Sequence, residues 1–147
     1  MTAVNSLNFL ARGVRAMRSG YVQPGDIAAV VGTGTLARAV ADVSRASGLL
    51  RVECIKLEWD NDGRFGPFGP DVVLVCDTNP AATNKAIHLV RPSGTVLLIE
   101  TPAGPVDIDT NVIVMGDRRI GGVGDPKPED IDLACRIGNA DSWSSEG

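Results

Sequence analysis

Apolar residues recur along this chain in two rhythms. In "SLNFLARGVRAMRS", 6–19, Leu7, Leu10, Val14 and Met17 fall three and four apart, which predicts a helix with one apolar stripe. Ser6 stands where an N-cap should, and Gly20 where a helix can close. "QPGD", 23–26, orders Pro and Gly as a type II turn requires. "IAAVV", 27–31, is apolar at every position, the pattern of a strand covered on both faces. The helical stripe returns at Leu36, Val40 and Val43 and closes at Gly48. "RVECIKL", 51–57, predicts a second strand. "EWDNDGRFGPFGP", 58–70, has no period and is rich in Gly, Pro and Asp, so a loop is expected.

The rest of the chain repeats the alternation. "DVVLVCD", 71–77, and "TVLLIE", 95–100, predict buried strands. Between them "PAATNKAIHLVRPSG", 80–94, predicts a helix with Ala82, Ala86, Leu89 and Val90 inward, ended by Pro92 and Gly94. Residues 105–116 are expected to be irregular, with a short apolar run at Val112–Met115. "RRIGGVG", 118–124, predicts a last strand. "PEDIDLACRIG", 128–138, predicts a terminal helix with Pro128 in its first turn. Residues 139–147 are expected to form a flexible tail. Strands alternating with helices over short connections imply an α/β domain, 1–138, built on a doubly wound parallel sheet in three layers. Ligands of such sheets lie beyond the carboxyl ends of the strands.

Composition narrows the function classes. The 147 residues carry a net charge of −4, which speaks against non-specific nucleic-acid binding, and aromatic residues are only 4%, too few for a base-stacking platform. No apolar run approaches the roughly 18 residues of a membrane span. The three cysteines, Cys54, Cys76 and Cys135, form no CxxC pair, and Cys54 and Cys76 fall in apolar strand patterns where buried free thiols are expected. An odd count without a signal peptide points to a cytoplasmic protein, and no His/Cys cluster offers a metal site.

The chemistry sits in "VVGTGTLARA". Gly32, Gly34 and Ala37 match G-x-G-x-x-G/A between a predicted strand and a predicted helix. The first glycine allows a sharp turn, the second lets a pyrophosphate approach the backbone, and the small third residue lets helix and strand pack closely. The helix N-terminus, with Thr33, Thr35 and Leu36 around the turn, offers N–H groups and partial positive charge to phosphates. The same small residues would also serve strand–helix packing alone, and the same turn would admit S-adenosylmethionine. An acidic residue that grips the adenine ribose is expected about twenty residues beyond the first glycine; at the end of the second predicted strand stands Lys56, with Glu58 on the same face two residues on.

With "VQPGDIAAVVGTGTLARAV", "DVVLVCDTNPAATNKAIHLVRPSGTVLLIETPAGP" and "RRIGGVG" before a helix, the run from Ser6 to Gly138 resembles the cofactor-binding Rossmann domain of the medium-chain dehydrogenase/reductase family, the zinc alcohol dehydrogenase type. The resemblance implies NADP or NAD as cofactor and a redox step on a small metabolite. It implies that Thr78, Asn79 and Thr101 line the nicotinamide half of the cleft. Two departures qualify it. Members carry a GroES-like catalytic domain ahead of this unit, with the zinc ligands; here residues 1–5 alone precede the first predicted helix, so that domain and its zinc are expected to be absent. The family also has a helix and a strand where this chain has only 58–70, so the expected sheet is a shortened one of five to six strands. No catalytic residue can be named. Asp77 and Glu100, at strand ends, are acid–base candidates by position only, and His88, mid-helix, reads as a packing residue. By resemblance, two copies pair through 112–123, and a partner enzyme could complete the site. The contrasting reading is a non-catalytic binding or assembly module that keeps the fold and binds no dinucleotide.

Overall fold

The computed structural model describes the backbone of residues 3–141 and the side chains of residues 6–138. Along the chain lie α1 (Ala3–Met17), β1 (Ile27–Val31), α2 (Thr35–Ala46), β2 (Arg51–Ile55), β3 (Val72–Val75), α3 (Ala81–Leu89), β4 (Thr95–Leu98), α4 (Thr110–Gly116), β5 (Arg119–Gly122) and α5 (Pro128–Asp141). The predicted strands and long helices are present. Ser6 lies inside α1 rather than capping it. The turn before β1 is closed by the Asp26 N–H on the Gln23 carbonyl at 3.1 Å, with Gly25 at φ +88° as a type II turn demands. The expected tail overlaps the end of α5, and 142–147 fall outside the described residues.

The strands form one five-stranded parallel sheet in the order β2-β1-β3-β4-β5. Val30 stands opposite Cys54 on one side and Leu74 on the other; Leu74 then pairs with Leu97 and Leu97 with Gly121. This is the order that remains when the third strand is removed from the 3-2-1-4-5-6 arrangement, and it leaves β2 as an edge. Alternation of side chains sorts the core into two faces. Ala28, Val30, Val52, Leu74 and Leu97 pack against Leu36 and Val40 of α2 and Ala16 of α1. Ala29, Val31, Val73 and Val96 pack against Ala82, Ala86 and Ile87 of α3. Because helices cover both faces, β1 and β3 are apolar at every position.

α5 lies outside α1, joined to it by an apolar cluster of Leu10, Val14 and Ala134 with Val43 of α2. Asp130, fully buried in the first turn of α5, accepts the Arg18 guanidinium at 2.9 Å and the Lys127 N–H at 2.7 Å, with Arg15 at 3.6 Å. Among the described residues no helix is long and apolar enough to cross a membrane.

Three expectations need correction or completion. The segment expected to be irregular contains α4, a seven-residue helix over the apolar run. Cys54, expected to be buried, is exposed because β2 has no outer neighbour to cover it. The loop 58–70 is a loop, but it also builds core: Phe65 is buried against Ile55 and Val73, Trp59 meets it edge-on at 5.7 Å, and Arg64 lies 5.0 Å from the Trp59 ring centre. It thus covers the α3 face of the sheet beside β2.

Candidate functional site at the carboxyl edge of the sheet

β1 ends at Val31 and the chain turns at Gly32 into α2. Gly32 has φ +138°, and a Cβ there would stand 3.0 Å from the Cys76 carbonyl oxygen and 3.2 Å from the Ala37 Cβ. Its N–H donates to the Ile55 carbonyl at 2.9 Å. The turn is therefore wedged between the ends of β2 and β3, and Ala37 is small because the base of α2 presses on it. Gly34 is placed otherwise. It is the exposed N-cap of α2 at φ −84°, and a Cβ there would meet nothing within 4 Å. No side chain caps α2, so the N–H groups of its first turn, Thr35 to Ala37, have no helical acceptor.

A cavity of about 450 Å³ opens at this turn, lined by Gly32, Thr33, Lys56, Glu58, Asp77 and Asn79. The structure so brings together the glycine turn, the end of β2 and the loop after β3. Lys56 and Glu58 are both exposed there, and among the described residues no carboxylate comes within 4 Å of the Lys56 ammonium. Asp77 accepts the Asn79 N–H at 2.8 Å, and the Asn79 side chain in turn accepts the Ala81 N–H at 3.0 Å, which fixes the loop at the start of α3.

Thr101 does not reach this cavity. It lines a second one of about 450 Å³ with Ile99, Glu100, Pro102, Gly122 and Val123, at the ends of β4 and β5. Thr78 is exposed between the two, and its carbonyl accepts the Ala103 N–H at 2.7 Å, tying the loops together. At about 4.8 Å per strand, the cleft from β2 to β5 spans roughly 19 Å, room for an extended ligand lying across the sheet edge. In the second cavity Glu100 is engaged. It accepts the Thr101 N–H at 3.0 Å and pairs with Arg12 of α1 at 3.8 Å, while Arg12 also donates to the Ile99 carbonyl. Sequence reasoning missed Arg12: it sits on the polar side of a helix 87 residues from its partner.

His88 lies apart from both cavities, with Nδ1 2.8 Å from the Asn84 carbonyl and Nε2 3.1 Å from Asp109. The Cys76 thiol, beneath the glycine turn, is pushed far above its ordinary value, by burial first. Cys54 presents surface to solvent, yet its sulfur rests 3.8 Å from the Ala37 carbonyl, and the burial this brings raises its pKa too. Neither thiol is built as a nucleophile. Among the described residues no three His, Cys, Asp or Glu side chains converge to hold a metal ion.

A parallel doubly wound sheet, a glycine turn at its switch point and a cleft along its carboxyl edge define an α/β domain of the Rossmann type. In sequence and fold the chain resembles the cofactor-binding half of the zinc alcohol dehydrogenase-type, medium-chain dehydrogenases/reductases. No protein-family model matches it. Curated relatives named "Putative D-xylulose reductase", from Rhizobium meliloti and Agrobacterium fabrum, are each 28% identical over 123 aligned residues, covering 67% of this chain and 36% or 35% of theirs. The chain thus spans about a third of their length. Among solved structures, 2R,3R-butanediol dehydrogenase from Bacillus subtilis superposes with a TM-score of 0.78 at 18% identity, over 90% of this chain and 45% of that one. A "putative zinc-binding dehydrogenase" from Sinorhizobium meliloti, bound to NADP, gives 0.77 at 17% identity, over 91% and 47%.

Proposed function

We propose that this chain binds NAD(P) in the cleft along its sheet edge and serves a redox step on a small metabolite. The observation that carries the reading is the division of work at the turn. A Cβ on Gly32 would press on the Cys76 carbonyl and Ala37, whereas Gly34 leaves open space before an uncapped helix N-terminus, and Lys56 lines the cavity that opens at this turn. In this reading Thr33 to Ala37 hold the pyrophosphate through backbone N–H groups. Lys56 faces the adenosine ribose, and Thr78, Asn79 and Thr101 line the nicotinamide half. The bound nicotinamide would exchange a hydride with the metabolite. Similar proteins name xylulose, butanediol and alcohols, which fits a small hydroxylated substrate class.

Lys56 also sets the expected choice of cofactor. A cation at the end of β2 favours a 2′-phosphate, and one charge-assisted contact contributes about 1.5–3 kcal/mol, a roughly 10- to 100-fold preference for NADPH. Calorimetric titration of NADPH and NADH into wild type, Lys56→Ala and Gly34→Ala tests this. Lys56→Ala should lose the preference and keep NADH affinity. Gly34→Ala should lose both cofactors. Equal wild-type affinities would remove Lys56 from the phosphate site.

A second reading has an observation of its own. The carboxylate at the end of β4 is held by Arg12 and a backbone N–H rather than left to act as a base. This suits a binding or assembly module without catalysis, and no binding of either cofactor at millimolar concentration would favour it. In either reading the proposed partner is a second copy of the chain, joined through 112–123.

A further inference from the structure

The loop 58–70 does more than cover the sheet. Between its first residues and the flank of α3 lies a cavity of about 420 Å³. Leu57 borders both this cavity and the one at the glycine turn; they share no other residue. We propose that it is a second binding site, which takes a small organic anion with an apolar, ring-sized body. The proposal goes beyond the nucleotide reading and stands without it.

The size lies within the range of small-molecule sites. Its walls divide into two kinds. Leu57, Leu89 and Trp59 offer apolar surface, and Asn61, Asn84 and Lys85 offer polar groups. None of the lining residues is acidic. The Lys85 ammonium donates to the Trp59 carbonyl and, with three N–H groups, has two left over. His88, which also lines the cavity, sets its Nε2 3.1 Å from Asp109. A positive charge with unused donors beside an indole and two leucines suits a carboxylate on an aromatic or compact aliphatic body. A neutral body of the same shape leaves those donors unused.

The aromatic wall is set in advance. The Trp59 N–H donates to the Lys56 carbonyl at 3.0 Å, its carbonyl is held by Lys85, its ring meets Phe65 edge-on, and the Arg64 guanidinium lies 5.0 Å from its centre. A side chain already held in place loses little freedom when a ligand arrives. The indole N–H is buried without a protein acceptor.

The chain has two tryptophans, Trp59 and Trp143, so in a Trp143→Phe variant the indole emission reports on Trp59 alone. Phenylacetate and its uncharged analogue phenylacetamide are titrated into that variant. Phenylacetate should shift the emission saturably, with an affinity about 10-fold or more above that of the amide. Adding NADPH should not displace it. Lys85→Met, which keeps the length and removes the charge, should bring the two ligands to equal affinity. Equal response to acid and amide with Lys85 in place, no saturable response to phenylacetate, or its displacement by NADPH would each overturn the proposal. If Lys85→Met does not fold, the acid-against-amide comparison on the native lysine decides alone.

Discussion

At Gly32 a methyl group would have to enter a space bounded by the Cys76 carbonyl and Ala37, on a backbone that only glycine adopts at ease. Gly32→Ala should therefore lose about 1–3 kcal/mol of stability in urea unfolding. Gly34→Ala, in open space at an N-cap, should stay within about 1 kcal/mol of wild type. The motif spelled both glycines alike; their contacts differ, since Gly32 is confined by its neighbours and Gly34 faces open space. Cys76 carries a second prediction. Its pKa in the folded chain is raised, so folding favours the thiol. That stability is whole below the ordinary thiol value of 9.0 and is lost as pH climbs past it. The stability gap between wild type and Cys76→Ala should narrow from pH 8 to pH 11; a gap that widens would contradict the sign. The sequence showed Cys76 in a buried strand; the structure places it one residue beyond β3 and half-buried, with its thiol desolvated. The sequence showed Cys54 the same way, and there the pattern misled. Exposure depends on whether a further strand lies beyond β2, and no local pattern encodes that.

At the scale of elements, what was legible followed periodicity and length. β1, β3 and β4 were continuous apolar runs between turn residues, and α2 and α3 carried clear stripes. α4 did not: seven residues are too few for a stripe to repeat, and its apolar run has no period of its own. The anchor of α5 was hidden for another reason. Asp130, read alone, is a carboxylate suited to the positive end of a helix. Its partner Arg18 is 112 residues away, and only the packing of α5 on α1 brings them together. Asp130→Asn removes a buried charge that satisfies a guanidinium and a backbone N–H. Both arginines can still reach water, so the expected loss is about 2–4 kcal/mol, measured by urea unfolding. A loss no larger than that of an exposed carboxylate, such as Asp132→Asn, would show that the cluster of apolar residues alone holds α5.

For the whole molecule, the shortened sheet was legible from a single feature, the loop 58–70 that stands where the resembled family has a helix and a strand; the strand order came with the pairing itself. The cleft could be placed at the carboxyl edge from the sequence, but not its division into two cavities, since that depends on how the loops after β3 and β4 are tied. The association proposed through 112–123 is tested at the surface the structure exposes there. Val114 and Met115 are 80% and 87% exposed, whereas Ile113 and Ile120 lean on the core and their replacement would confuse folding with assembly. Sedimentation equilibrium should find a dimer for wild type and a monomer for the Val114→Lys, Met115→Lys double variant, with unchanged circular dichroism. A wild-type monomer at tens of micromolar would dispose of the idea.

The two edges of the sheet are not alike. Along β2 the Arg45 guanidinium occupies the Val52 carbonyl at 2.9 Å, and Glu53 holds Arg51 at 2.8 Å and Arg64 at 3.8 Å. β5 ends in Gly121 and Gly122, which carry no side chains to stand in the way. A sheet that could grow from both sides would recruit copies without end. One whose outer strand is stoppered on one side has a single place to add, and a two-fold contact there consumes it on both partners. Growth would stop at two, by the wiring of one arginine and a few neighbouring charges at the opposite end of the sheet.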